Sequence, residues 1–144
     1  KELAYNQVWK SVKSALAVSL TMIVVVTLFR EPLMGIFTDN ERIIQIGASV
    51  LVLSILLETG RTINITIINA LRASGDARYP VKIGFISMIC IGLSVGYVLV
   101  FVLELGLVGV WLAIALDEWI RAILVLIRWK SRKWERFAIV TKEE

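Results

Sequence analysis

Four long stretches of almost uninterrupted apolar residues constrain this chain more than any other feature. They cover residues 12–29, 43–71, 81–103 and 107–127. The hydrocarbon core of a bilayer is about 30 Å thick, and a helix needs about 20 apolar residues to cross it. Strands of a membrane barrel need only about 10 residues, and their residues alternate between polar and apolar. These stretches are longer and do not alternate in polarity. The sequence therefore predicts an all-α integral membrane protein with four transmembrane helices.

The composition agrees with a membrane protein and argues against other classes. Of the 144 residues, 58% are hydrophobic and 19% are charged, whereas about 25% of the residues in a typical soluble domain are charged. The formal net charge of +4 comes from Lys and Arg at the ends of the apolar stretches, so we expect no nucleic-acid partner. The chain has no His and one Cys, which excludes a disulfide framework and a zinc site of Cys and His.

No motif of a common enzyme class occurs in the chain. The sequence contains no P-loop, no GxSxG nucleophile motif and no HExxH zinc motif, and we expect that the protein is not an enzyme. The first residue is Lys1 rather than Met, and the residues after it do not have the pattern of a signal peptide. We therefore expect a segment that begins inside a larger protein.

The distribution of Lys and Arg outside the apolar stretches predicts the orientation in the membrane. Cytoplasmic loops carry an excess of these residues. They are concentrated before the first stretch, between the second and third, and in the tail at residues 128–144, whereas the other two loops contain only Arg30 and Arg42. The pattern predicts a multi-pass protein of the cell membrane with both ends and the middle loop in the cytoplasm.

Short polar segments separate the four stretches. Pro32 and Gly35 predict a break in the chain after the first stretch. Residues 73–76 followed by Pro80 predict a helix stop, a turn and a new helix. Residues 104–106 predict a tight turn before the last helix. Thr38 and Glu41 have the spacing of a capping box, which predicts that Thr38 is the N-cap of the second long helix.

Five ionisable residues interrupt the apolar stretches: Glu58, Arg61, Asp117, Glu118 and Arg121. A charged side chain at the middle of a bilayer costs at least about 2.5–3.5 kcal/mol, so these side chains should face protein or water and form pairs. In one interpretation they are structural ion pairs, Glu58–Arg61 and Asp117–Arg121. In the other, three acids against two bases leave one carboxylate that a transported proton or Na⁺ occupies. Glu58 is then the first candidate for ion coupling and Asp117 the second.

Helical geometry places another polar residue beside these charges. At 100° per residue, Asn69 falls on the same stripe of the second helix as Glu58. The fourth helix presents Arg121 between its two carboxylates, one turn further along. We therefore expect four residues besides the coupling candidates to line a polar cavity: Arg61, Asn69, Glu118 and Arg121.

Three glycines lie on one face of the third stretch. Gly92 and Gly96 form a GxxxG motif, and Gly84 has the same orientation. Such motifs allow two membrane helices to approach closely. We predict that these glycines serve helix packing rather than ligand binding.

The loop after the second stretch resembles a known family. Residues 58–64 (ETGRTIN) lead to residues 69–80 (NALRASGDARYP), which are similar to the region between the tenth and eleventh helices of multidrug and toxic compound extrusion (MATE) transporters. Residues 28–41 resemble the family's loop between helices nine and ten, and residues 106–111 resemble the entry to helix twelve. The similarity extends over nearly the whole chain.

The resemblance implies that the chain forms helices nine to twelve, within one six-helix lobe of a twelve-helix transporter. It implies an antiporter that exports organic, often cationic, compounds in exchange for Na⁺ or H⁺, with no other cofactor. Glu58 matches the location of the family's acidic residue for the cation, so Na⁺ is expected there if Na⁺ is the coupling ion. Arg61 departs from the family's pattern. The implied partners are membrane lipid, a small organic substrate and the N-terminal helices of the same protein.

Three other functions are compatible with the sequence. A related transporter fold serves as a flippase for lipid-linked sugars. A small self-contained transporter would assemble its coupling site by oligomerisation. A membrane scaffold that transports nothing would use every buried charge for structure, with a basic tail that binds anionic lipid.

Overall fold

The computed structural model of the chain describes residues 1–138, in which every regular element is a helix. In chain order these are α1 (Glu2–Leu28), a short α2 (Arg30–Gly35), α3 (Glu41–Ala73), α4 (Arg78–Val102) and α5 (Gly106–Lys130). A single 3₁₀ turn (Lys133–Arg136) follows α5. The all-α prediction is confirmed, and residues 139–144 of the predicted basic tail lie outside the described residues.

Three of the four long helices, α1, α3 and α4, are long and apolar enough to cross a membrane. The chain is therefore part of a multi-pass membrane protein. Helix α5 has 25 residues, which at 1.5 Å per residue gives about 37 Å, but three charged residues lie near its middle. A membrane crossing by α5 remains a prediction, as do the exact limits of the four spans.

The start of α3 corrects one prediction from the sequence. Asn40, not Thr38, is the N-cap, and its Oδ1 accepts hydrogen bonds from the backbone N–H groups of Arg42 (3.0 Å) and Ile43 (3.3 Å). The Thr38 hydroxyl instead accepts from the backbone N–H of Asn40 at 3.2 Å. Both residue types cap helices well, and the capping box was placed two residues too early because the helix begins at Glu41.

Helix α3 is the centre of the fold, because both α1 and α5 pack against it. Helix α4 packs mainly against α5. At one end of the bundle, a buried core joins α1, α3, α5 and the 3₁₀ turn; its members are Val12, Ile67, Leu71, Val125, Trp129 and Trp134. The Trp129 ring stacks on Trp134 (centroids 4.4 Å apart) and on Tyr5 (6.2 Å), which fixes the end of α5 to the start of α1.

Helix α4 is not a regular α-helix over its whole length. Two segments, Met88–Leu93 and Val98–Val102, have the wider π-helical hydrogen bonding. The helix ends in a tight turn in which the N–H of Leu105 donates to the carbonyl of Leu99 and Gly106 has a φ of +54°, a conformation that glycine adopts without strain. This turn reverses the chain so that α5 returns alongside α4, as predicted from residues 104–106.

Candidate functional site

A close crossing of α3 and α5 forms the middle of the bundle. A Cβ atom on Gly60 would lie 2.8 Å from Cδ1 of Trp119, so only glycine leaves room for the indole ring. The same ring donates a hydrogen bond from Nε1 to the carbonyl of Leu56 (2.8 Å). Six residues before Gly60 on α3, Ser54 accepts a hydrogen bond from Nε1 of Trp111 (3.0 Å). Two tryptophans therefore hold the helices in a register that brings their charged residues together.

Arg61 lies between a carboxylate on its own helix and one on α5. Its Nη1 is 2.7 Å from Oε1 of Glu58, which lies three residues earlier on α3. Its Nε is 4.0 Å from Oε1 of Glu118 on α5. The Arg61 guanidinium thus links the charges of the two helices.

Glu118 is the centre of the site. Its Oε1 is 3.2 Å from Nη2 of Arg121, and its Oε2 accepts a hydrogen bond from Nδ2 of Asn64 (2.8 Å). Arg121 also pairs with Asp117, and the second oxygen of Asp117 accepts from the hydroxyl of Ser87 on α4. Three helices therefore contribute to one continuous polar network.

Five residues of this network alternate in sign, and we call them the charge chain: Glu58, Arg61, Glu118, Arg121 and Asp117. Each base lies between two acids, which offsets much of the cost of holding charges away from water. Three carboxylates and two guanidinium groups leave a net charge of −1. The exposed fraction of the acid side chains rises from 7% at Asp117 through 12% at Glu118 to 31% at Glu58. The excess negative charge therefore has its most accessible position at Glu58.

Two buried polar atoms, one in the charge chain and one beside it, are unsatisfied. Within residues 1–138, Oδ1 of Asn64 and Nε of Arg121 have no hydrogen-bond partner. Buried polar groups are rarely left in this state, so the site offers one free acceptor and one free donor. Among the same residues, no group of three or more His, Cys, Asp or Glu side chains is arranged to hold a metal ion.

The structure brings most of the candidate residues into one site. Both ion-coupling candidates, Glu58 and Asp117, belong to the charge chain, as do Arg61, Glu118 and Arg121. Asn69 is exposed on α3 and makes no side-chain hydrogen bond to any described residue, so the structure does not bring it to the charge chain. Sequence reasoning missed Ser87, whose only signal is an isolated hydroxyl in an apolar stretch.

The three candidate packing glycines are in different surroundings. Gly96 faces α5, where its Cβ position is 3.5 Å from Cβ of Ala113, and Gly92 lies 4.0 Å from Cγ of Asp117. Gly84 has no neighbour within 4 Å of its Cβ position. The tightest glycine at this interface is one that the sequence analysis did not single out: a Cβ on Gly109 would be 2.9 Å from the carbonyl oxygen of Leu99.

Apolar helices that enclose a network of alternating charges are typical of multi-pass proteins that move ions or polar solutes through the membrane. The chain belongs to the MatE family, whose sequence model matches residues 1–98. The match includes α1, α2, α3 and most of α4, and therefore the part of the charge chain on α3.

Similar proteins extend the match into α5. The chain is 41% identical over 133 residues to the uncharacterized transporter YisQ of Bacillus subtilis (strain 168), a match that covers 92% of this chain and 29% of YisQ. It is 35% identical over 129 residues to a probable multidrug resistance protein NorM of Thermotoga maritima, covering 90% of this chain and 28% of that protein. A NorM of Idiomarina loihiensis is 30% identical over 110 residues, which cover 72% of this chain and 24% of the relative.

The chain thus spans less than a third of the length of these curated relatives. No solved structure matches it. The family is established by the sequence comparisons, and the all-α membrane fold agrees with it.

Proposed function

We propose that this chain forms four helices of an antiporter that exports small organic, often cationic, compounds in exchange for H⁺ or Na⁺. Membership of the MatE family supports transport, and the names of the NorM relatives, probable multidrug resistance proteins, support drug-like substrates. The observation that carries the proposal is the charge chain, which has one more carboxylate than it has bases. The orientation proposed from the basic residues places both ends of the chain in the cytoplasm.

Glu58 is the proposed site of the coupling ion. It is the most exposed acid of the charge chain, so an ion reaches it more easily than it reaches Asp117. Its only ion-pair partner among residues 1–138 is Arg61. An acid held by a single base gives up that partner more readily than Asp117, which binds both Arg121 and Ser87.

Arg61 is proposed to transmit the binding event from α3 to α5. When H⁺ or Na⁺ neutralises Glu58, the Coulomb attraction that holds Arg61 near it weakens. Arg61 then shifts toward Glu118, whose Oε1 is already 4.0 Å from its Nε. Since Glu118 also binds Arg121 and Asn64, the shift changes the interactions that hold the two helices together.

Efflux of a fluorescent cationic dye tests this proposal. Cells expressing the complete protein are compared with cells expressing Glu58→Gln at equal membrane levels, under an imposed H⁺ or Na⁺ gradient. We expect gradient-driven dye export by the wild type and no gradient-driven export by Glu58→Gln, because the amide does not bind either ion in exchange for Arg61. Glu31→Gln is the matched control, since Glu31 is an exposed acid on α2 outside the charge chain.

Two results would contradict the proposal in different ways. Equal export by the wild type and Glu58→Gln makes Glu58 a structural partner of Arg61, and Asp117→Asn becomes the variant to measure. If the wild type exports no dye under either gradient, the drug-antiporter proposal fails. A lipid-linked sugar flippase, an oligomeric transporter with another substrate and a structural scaffold are then the remaining functions.

A further inference from the structure

A basic cavity lies where the turn after α3 meets the end of α5. Its volume is about 550 Å³, and its walls include Asp76, Arg78, Tyr79, Lys82, Arg128 and Phe137. The turn between α3 and α4 and the last turns of α5 form this end of the bundle, so the cavity lies at the level where the apolar spans begin. A ligand bound in the cavity therefore lies at the interface between water and lipid.

Two cations of the cavity have no ion-pair partner among residues 1–138. Its single carboxylate, Asp76, is buried and pairs with Nε of Arg128 at 2.7 Å. The guanidinium of Arg128 also lies over the Tyr79 ring, 4.6 Å from its centroid, so this base is fixed in place. Arg78 and Lys82 are exposed, lie four residues apart on α4 and form no ion pair with any of residues 1–138. They give the cavity an excess charge of +2.

An apolar groove continues from the cavity along α4. Its volume is about 370 Å³, and its lining residues are Tyr79, Ile83, Ile86, Ser87, Cys90, Ile91 and Leu124. Tyr79 borders both spaces. From Tyr79 to Ile91 a helix rises about 18 Å at 1.5 Å per residue, close to the half-thickness of about 15 Å of a bilayer core. The residues that line the groove therefore cover a length of α4 close to the thickness of one leaflet.

We propose that the cavity and the groove together bind one anionic phospholipid. The phosphate of the headgroup lies against Arg78 and Lys82, and an acyl chain lies in the groove against Ile83 and Ile86. A soluble phosphate would use the basic cavity but would gain nothing from an apolar groove that begins beside it. Ser87, which donates to Asp117, lines the groove, but no residue of the charge chain itself lines either space. The lipid contacts proposed at Arg78, Lys82, Ile83 and Ile86 therefore do not depend on the coupling proposal.

Native mass spectrometry of the complete protein with added phosphatidylglycerol tests the site. We expect retained phosphatidylglycerol on the wild type and an affinity about 30-fold lower for Arg78→Gln/Lys82→Gln, since each basic residue near an anionic headgroup contributes roughly fivefold. Lys10→Gln/Lys13→Gln is the control, because it removes the same charge from two exposed residues of α1. We expect Ile86→Trp, which fills the groove, to weaken binding while both basic residues remain.

Four results would overturn the inference. Equal loss of affinity in the Lys10→Gln/Lys13→Gln control means that binding follows overall charge. Equal retention of phosphatidylcholine with the same acyl chains means that the headgroup is not recognised. Displacement of the lipid by inorganic phosphate means that the cavity is a site for free anions. Absence of retained phosphatidylglycerol from the wild type means that other parts of the complete protein occupy the groove.

Discussion

Helices α4 and α5 lie side by side, yet they are packed very differently. Of the 25 residues of α4, only Pro80 and Ser87 are buried, and Phe85, Leu93 and Phe101 are more than half exposed. Helix α5 has the same length but seven buried residues: Gly109, Ala113, Ala115, Asp117, Ala122, Val125 and Trp129. The more apolar helix is the less buried one.

The charges of α5 explain why it is the more buried of the two helices. Lipid chains surround an apolar side chain about as well as a protein interior does, so little free energy is gained by packing such side chains together. A charged group in the same surroundings costs several kcal/mol unless it has a partner. Helix α5 carries three members of the charge chain and packs on α3, whereas α4 carries none. Of these two helices within residues 1–138, the one that carries the charges is the more buried.

The largest expected effect comes from removing a shared cation from α5. Arg121→Met leaves Asp117 and Glu118 without the base that lies between them, and an uncompensated buried charge costs about 3–5 kcal/mol. We expect a large loss of thermal stability of the complete protein in detergent. Arg42→Met, which removes an exposed arginine, is the control. A loss of the same size in both variants would mean that the buried charges do not determine packing.

A smaller effect is expected where α4 meets the charge chain. Ser87→Ala removes the hydroxyl that donates to Asp117, and a hydrogen bond to a charged group contributes about 1.5–3 kcal/mol. Ser94→Ala is the matched control on α4, because the Ser94 hydroxyl donates only to the carbonyl of Ile89 on the same helix. Ser94→Ala should change the free energy of unfolding by at most about 0.5 kcal/mol. Equal values for the two serines would show that α4 is not anchored through Asp117.

The smallest effect tests close packing without charge. A Cβ added at Gly109 meets the backbone oxygen of Leu99 at 2.9 Å and Cβ of Leu105 at 3.1 Å, so Gly109→Ala should cost about 1–3 kcal/mol through overpacking. Gly84 has open space around it, and Gly84→Ala should be neutral. Chemical denaturation of the complete protein measures both. If Gly84→Ala is the more damaging variant, α4 packs through the glycine face that the sequence indicated.

The four helices could be predicted from the sequence because the lengths of the apolar stretches fix them. The composition of the charge chain was also within reach, since the cost of charges in a bilayer requires them to find partners. The order in which these charges pair could not be predicted. Glu118 lies at the centre of the network only because the crossing at Gly60 and Trp119 turns it toward Arg61, and the sequence does not give that crossing.

Two local features show where helical periodicity stops being informative. Asn69 shares a stripe of α3 with Glu58, but it lies 11 residues further along, about 16 Å, at a level where that stripe is exposed. Ser87 bonds to Asp117 across two helices, and their relative rotation depends on the turn at Gly106. Helical periodicity along one helix identifies the residues that share a face, but it does not identify the neighbouring helix that covers that face.

Transport in proteoliposomes tests the central claim, that the charge chain couples an ion to transport through Glu58. The complete protein and its Glu58→Gln variant are reconstituted, and two rates are measured: dye accumulation driven by an H⁺ or Na⁺ gradient, and exchange of labelled for unlabelled dye without a gradient. We predict that Glu58→Gln loses gradient-driven accumulation and keeps exchange, because the helices still move the dye but no longer exchange an ion for it. Gradient-driven accumulation equal to that of the wild type would contradict the account.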